Sequence, residues 1–173
     1  MEAGWSGVMS LPRVLSVEND RLKLDFAPEL QKLRKENVNL SNLALDKTQT
    51  LDGVKSDRLE LQTTFIKSTA QRSGLVLHHG DEKVQAYIDW SAKEIVVDTG
   101  SNVYRGTFAN LTDKVDIHLF VDNSVLELIA NREVALTCRV YPKQVGSSVE
   151  LCSEGGGSKV ERLEAWNLAS IWP

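Results

Sequence analysis

The sequence predicts an all-β fold, a sandwich of two antiparallel sheets with a short strand–helix preface ahead of it. Three observations predict it. Apolar and polar residues alternate with period two over most of the chain. Turn-forming residues separate these runs at the spacing expected of a sandwich or barrel. Only one short stretch reads as a helix.

The elements follow in order. Residues 4–16, GWSGVMSLPRVLS, are apolar and strand-like through Trp5, Val8, Met9, Leu11, Val14 and Leu15. That is unusual for a terminus, which is commonly polar and frayed unless something ties it down. Residues 4–26 hold two strand-like pieces. Pro28 then suits a first helical position, Asp25 lies near enough to cap it, and Leu30 and Leu33 share a face, so residues 28–35 read as a two-turn helix. Residues 38–173 give about ten short strands. In residues 58–65, Leu59, Leu61, Thr63 and Phe65 face inward while Arg58, Glu60 and Gln62 face away. Ser91-Ala92-Lys93-Glu94 separates VQAYIDW from IVVDTG. Val115, Ile117, Leu119 and Val121 alternate with Asp116 and His118. Asp122-Asn123 then turns the chain into residues 125–130, and Asn131-Arg132-Glu133 leads into the strand of Leu136, Cys138 and Val140. Gly155-Gly156-Gly157 is followed at once by VERLEAW, so it reads as a flexible hairpin loop rather than a domain linker.

Composition narrows the classes of function. A chain of 173 residues suits one domain, or a domain with an appendage, and buries roughly 70% of its unfolded surface without a staple. Twenty basic and 24 acidic residues give a net charge of -4 with mixed signs. No basic cluster marks a nucleic-acid partner, and no run approaches the ~20 apolar residues of a membrane span. The opening stretch has no basic n-region, and Ser10, Pro12 and Arg13 interrupt it, so it does not read as a signal peptide. A cytoplasmic setting is the expectation. Cys138 and Cys152 read as reduced thiols, since two isolated cysteines make no disulfide framework, and no Cys/His cluster suggests zinc.

Candidate chemistry is sparse. Asp116, Asp122 and Glu127 could supply a glycosidase-type pair of carboxyls, which such chemistry needs about 5–9.5 Å apart across a cleft. Here Asp122 sits in a turn and Glu127 on a strand, so turn former and surface charge are the readings taken. His78 and His79 are adjacent on a strand and should diverge, which is poor geometry for a shared metal. No GxSxG, HExxH or phosphate loop occurs. Trp5, Trp90, Trp166 and Trp172 could stack on sugars in a lectin-like module, but large amphipathic rings serve more often as core or interface filler.

Four stretches carry a family resemblance: GWSGVMSLPRVLS, PELQKLR, LFVDNSVLELIANREVALTCRVYP and RLEAWNLASIWP. Together they resemble the C-terminal part of glycoside hydrolase family 32, the invertases, fructanases and sucrose-6-phosphate hydrolases. The most specific block is residues 120–142, where Asp122, Ser124, Glu127, Asn131, Thr137, Arg139, Val140, Tyr141 and Pro142 match, and Cys138 stands where Ser is usual. Residues 40–110 are the weakest part. The resemblance implies a galectin- or lectin-like β-sandwich over residues 38–173 and a linker helix within residues 27–37. It also implies that residues 1–26 are similar to the tail of a catalytic five-bladed β-propeller. Trp5, Val8, Met9 and Leu11 would pack against that propeller.

The family's catalytic motifs lie in the propeller. Asn19-Asp20 is followed by Arg21 rather than Pro, no Arg-Asp-Pro occurs, and Leu151 splits Glu150 from Cys152. No catalytic residue, substrate-binding residue, metal or cofactor is therefore assigned to this chain. The expected role is non-catalytic: stabilising the propeller of a retaining β-fructofuranosidase and shaping oligomer contacts. The alternative is a carbohydrate-binding module. Residues 4–15, exposing an open strand edge, are expected to fold back on the sandwich or to pair with a second copy, the second copy being favoured.

Overall fold

The computed structural model describes residues 8–55, 57–141 and 148–170. Strands β1 (Arg13–Glu18) and β2 (Arg21–Phe26) form a hairpin, with Asn19 and Asp20 both in the left-handed region at the turn. A three-ten helix follows at Pro28–Leu33. The remaining strands are β3 (Arg34–Leu45), β4 (Gln49–Thr50), β5 (Arg58–Lys67), β6 (Arg72–His79), β7 (Glu82–Asp89), β8 (Glu94–Asp98) and β9 (Val103–Thr107). They continue as β10 (Lys114–Asp122), β11 (Val125–Ala130), β12 (Val134–Arg139), β13 (Ser148–Glu154) and β14 (Ser158–Leu168).

The sandwich is as the alternation predicts. One six-stranded sheet runs β12-β11-β10-β5-β14-β3 and the other β4-β13-β6-β7-β8-β9. Every pair is antiparallel. Leu59, Leu61 and Phe65 of β5 and Val115, Ile117 and Leu119 of β10 meet Leu75, Leu77, Ala86, Ile88, Val149 and Leu151 of the opposing sheet in one core. The β10–β11 hairpin turns at Asn123, whose φ of 48° uses the left-handed tolerance of asparagine. Asp122 is still paired, opposite Val125, and β12 lies next to β11.

Three expectations are corrected. The helix is three-ten, held by Leu30 N–H donating to the Ala27 carbonyl, and it ends sooner: Arg34 is already extended and opens β3. Two turns are too few for a stable α-helix without a dedicated cap. Asp25 supplies none, because its carboxylate is held by Arg132. Third, Gly155-Gly156-Gly157 does not close a hairpin. It carries the chain from β13 in one sheet to β14 in the other. Gly155 and Gly156 sit at φ 69° and 145°, and a Cβ on Gly156 would lie 2.5 Å from the Thr69 backbone, so the crossing passes too close for any side chain. Thr69 fixes it from both sides, its N–H donating to the Gly157 carbonyl and its hydroxyl accepting from the Gly157 N–H.

Candidate functional site

The outer face of the first sheet positions the most elaborate side-chain arrangement in the chain. Alternation along β5, β10 and β11 sends every second residue away from the sandwich core. These are Glu60 and Gln62, then His118 and Phe120, then Glu127 and Ile129. Solvent does not reach this face in full, because the preface lies over it. Phe26 meets Phe120 and His118 edge-on, with ring centroids 4.7 and 4.9 Å apart. Leu11, Leu24, Leu30 and Leu168 complete a second apolar cluster around Phe26, Phe120 and Ile129. β11 is accordingly buried at all six positions, the mark of a strand covered on both sides.

Two carboxylates lie under this cover, each with its side chain only 1% exposed, and each has its own arginine. Glu60 accepts a fork from Arg34, Nε to Oε2 at 2.7 Å and Nη2 to Oε1 at 2.6 Å. Its Oε1 also lies 2.9 Å from His118 Nε2 and accepts from Gln62. Burial alone pushes this carboxyl up. The hydrogen bonds from Arg34 and His118, with their charges, outweigh burial and hold it at about 2. The Arg34 guanidinium is fixed from its other side by the Trp166 ring, 3.7 Å below it. Glu127 accepts from the Leu11 N–H and from Arg13 Nη2 at 2.6 Å, and the same Arg13 nitrogen donates to Thr137.

A third arginine bridges in the opposite direction. Arg132, left-handed at the β11–β12 turn, reaches from the sandwich to Asp25 and Glu18 of the hairpin. Its pKa is raised by those hydrogen bonds. Lys23 pairs with Glu133 beside it, and Leu24 N–H donates to the Arg132 carbonyl. The hairpin is thus clamped through both of its strands while Leu15, Val17 and Leu22 stay 55–72% exposed, and Met9 ahead of it is 92% exposed.

Asp116, Asp122 and Glu127 all point to this outer face, where Glu127 lies opposite Phe120, two residues along the strand from Asp122, and Asp122 and Glu127 line one small cavity. Asp116 and Asp122 are six residues apart on one strand, roughly 20 Å at 3.4 Å per residue. Asp116 accepts from Thr64, and Asp122 from the Asn123 side chain. Glu127 is not the surface charge expected, because Leu11 and Arg13 engage both of its oxygens. Glu60 likewise points outward yet is buried. His78 and His79 diverge as expected, His78 to Glu150 on the outside of the second sheet and His79 inward. Among the described residues, no three His, Cys, Asp or Glu side chains gather into a metal site.

Trp90 and Trp166 are buried, Trp90 donating its indole N–H to Ser73, so neither is offered to a sugar. Trp5 and Trp172 lie outside the described residues. Cys138 and Cys152 are free and in different sheets, with burial pushing their thiols up to about 12 and about 11. Of the favoured pairing segment, Leu11 is half-buried and Arg13 is committed to Glu127, so this part folds back on the sandwich, while Val8 and Met9 remain exposed.

Sequence reasoning missed the Arg13–Glu127 and Arg34–Glu60 pairs. The signal it had was the unbroken burial-prone run VLELIA, which asks for cover on both faces.

Comparison with known proteins agrees with this architecture. Sucrose-6-phosphate hydrolase from Escherichia coli is 25% identical over 172 residues, 95% of this chain and 35% of that protein. The corresponding hydrolase of Zymomonas mobilis is 27% identical over 181 residues, with the same shares. The chain thus spans about a third of the length of the curated relatives it matches. Exo-inulinase from Aspergillus awamori superposes with a TM-score of 0.80 at 21% identity, over 98% of this chain and 37% of that one. Fructan 1-exohydrolase IIa from Cichorium intybus gives 0.79 at 15% identity, over 96% and 42%. These likenesses show a shared fold. The model of the C-terminal region of family 32 glycosyl hydrolases matches residues 29–167, from the three-ten helix through β14, and this chain therefore belongs to that family.

Proposed function

We propose that this chain is a non-catalytic bracing domain, the C-terminal sandwich of a retaining β-fructofuranosidase that acts on sucrose or fructans, and that it releases no fructose by itself. The observation that carries the reading is the hairpin β1–β2. It precedes the matched family region, is locked to the sandwich by Arg132, and still presents Leu15, Val17 and Leu22 to water, next to the exposed Met9 that precedes it. An apolar ledge held rigidly by ion pairs is what a neighbouring domain would cover. Residues 1–26 are, on this reading, the tail of the catalytic propeller, and the sandwich serves as its buttress.

The test uses this chain and the protein encoded with the reading frame upstream of residue 1. Leu15→Asp, Val17→Asp and Leu22→Asp combined should lower the melting midpoint of the longer protein by several degrees and leave that of the 173-residue chain within about a degree, since the three side chains are already exposed there. An equal change of midpoint in both backgrounds would remove the ledge as a docking surface. Sucrose and inulin incubated with the shorter chain should yield no fructose above a heat-killed control, and turnover that survives repurification would overturn the non-catalytic reading.

A further inference from the structure

The alternation that sends Leu75 and Leu77 of β6 into the core sends its last residue, His79, there as well. The imidazole is 3% exposed, and neither ring nitrogen has a hydrogen-bond partner among the described residues. Buried polar groups are nearly always paired in folded proteins, so an unpaired ring between two sheets is a weakness held in place by its surroundings. His79 shares the wall of a cavity of about 480 Å³ with Val84 of β7, Val140 beyond β12, and Thr99, Gly100 and Ser101 of the β8–β9 loop.

The charged groups nearby do not make a home for a cation here. Asp57, ahead of β5, and Glu82, in register with His79 across the turn, both favour the charged ring. His78 opposes it from the outer face of the second sheet, where its Nε2 lies 2.9 Å from Glu150. Lys83, paired with His78, and Arg139, next to the core-facing Cys138, alternate onto the two outer faces. Burial outweighs the two carboxylates and holds His79 below the usual histidine range, so the ring is neutral near pH 7. A charged His79 is satisfied only by reaching water. The element that would carry it there is short: Gly80 and Asp81 alone join β6 to β7, with Gly80 at φ 65°, and strand ends open at the lowest free energy in a fold. The far end of β7 is held differently, by the Asp89 carboxylate accepting from the N–H groups of Ser91 and Ala92.

We propose that His79 is an acid-operated latch: neutral, it lets the β6–β7 turn close this end of the sandwich, and protonated, it draws the turn outward and opens the cavity to water. The latch is independent of the apolar ledge, and neither proposal depends on the other. Its sign follows from burial. The closed form keeps its full advantage above the ordinary histidine value of 6.5 and loses it as pH falls below that value. An open form with an ordinary histidine gains on the closed one by about tenfold between pH 7.5 and 5.5.

Amide hydrogen exchange of the 173-residue chain at those two pH values tests it, with rates expressed as protection over the unstructured chain. Protection of residues 78–84 should fall about tenfold at the lower pH, and that of residues 88–95, at the other end of β7, should hold. His79→Leu should hold at both ends. In ¹⁵N-histidine spectra the ring signals of His79, identified by elimination with His78→Gln and His118→Gln, should stay those of a neutral imidazole at pH 5.5. Four results would each overturn the latch: unchanged protection at residues 78–84, an equal fall at residues 88–95, the same fall in His79→Leu, or a cationic His79 ring at pH 5.5 in a chain that keeps its protection. The native chain's two exchange windows and its histidine spectra decide the matter if His79→Leu fails to fold.

Discussion

Glu60 shows how much one residue depends on a partner distant in sequence. On alternation alone it belongs to the solvent face of β5, and that orientation is right. Its burial is not legible, because it comes from the preface and from Arg34, whose side chain only the β14–β3 and β14–β5 pairings bring alongside. Removing one member of such a pair strands the other. Arg34→Met should cost about 3 kcal/mol in urea unfolding at pH 7, because a buried carboxylate loses its fork. The double variant Arg34→Met/Glu60→Leu should recover much of that loss, which a purely additive effect would not. The pH dependence has a definite sign. Folding lowers the Glu60 carboxyl from its ordinary 4.5 to about 2. The stability it contributes is therefore complete above about pH 4.5 and is lost as pH falls toward 2. After allowance for solvent screening this is on the order of 2 kcal/mol. Unfolding curves at pH 7, 4 and 3 should show that loss in the native chain and a smaller one in Arg34→Met.

The strands were the most legible elements. Period-two patterning located β5, β10, β11 and β12 with their turns, because each has a core face set by its own side chains. The glycines were read less well, since what a glycine permits depends on the backbone opposite. Gly155-Gly156-Gly157 looked like slack and is a tight crossing. Gly74, in the middle of β6, gave no sequence signal. A Cβ there would lie 2.2 Å from the Ala86 carbonyl oxygen and 2.5 Å from the Tyr87 Cα, both backbone atoms of the neighbouring β7. Neither can retreat without breaking the β6–β7 ladder. Gly74→Ala should therefore cost about 3 kcal/mol, at the upper end of overpacking penalties. Gly53→Ala provides the contrast. Its Cβ meets nothing within 4 Å, and the penalty comes only from φ of 80°, so it should lose about 1 kcal/mol. Thermal melts of the two variants should rank in that order, and Gly74→Ala melting with the native chain would show that β7 yields after all.

At the scale of the whole molecule, motif resemblance placed the chain in its family. The preface, by contrast, could not be weighed from sequence, because Arg13 and Glu127 are 114 positions apart. Sequence reasoning started the sandwich at residue 38 and set the preceding segment apart. The structure packs Leu11, Leu24, Phe26 and Leu30 onto the outer face of the first sheet and supplies both arginines that neutralise its buried carboxylates from residues before 38. Full burial of a large apolar side chain is worth about 1.5–3 kcal/mol. With Phe26 buried and the three leucines half-buried, the cover contributes roughly 4–7 kcal/mol, comparable with the ~5–15 kcal/mol net stability of a domain. A chain trimmed to residues 38–173 forfeits that cover. It also leaves Glu60 and Glu127 without arginines and removes the start of β3. A chain trimmed to residues 34–173 keeps Arg34 and β3 but still loses the apolar cover and Arg13. The expected order of urea midpoints is residues 1–173 first, then 34–173, then 38–173, with the shortest chain unfolded or aggregated in dilute buffer near neutral pH. Residues 38–173 unfolding cooperatively at the midpoint of the full chain would sink the view that the packing of the preface stabilises the sandwich.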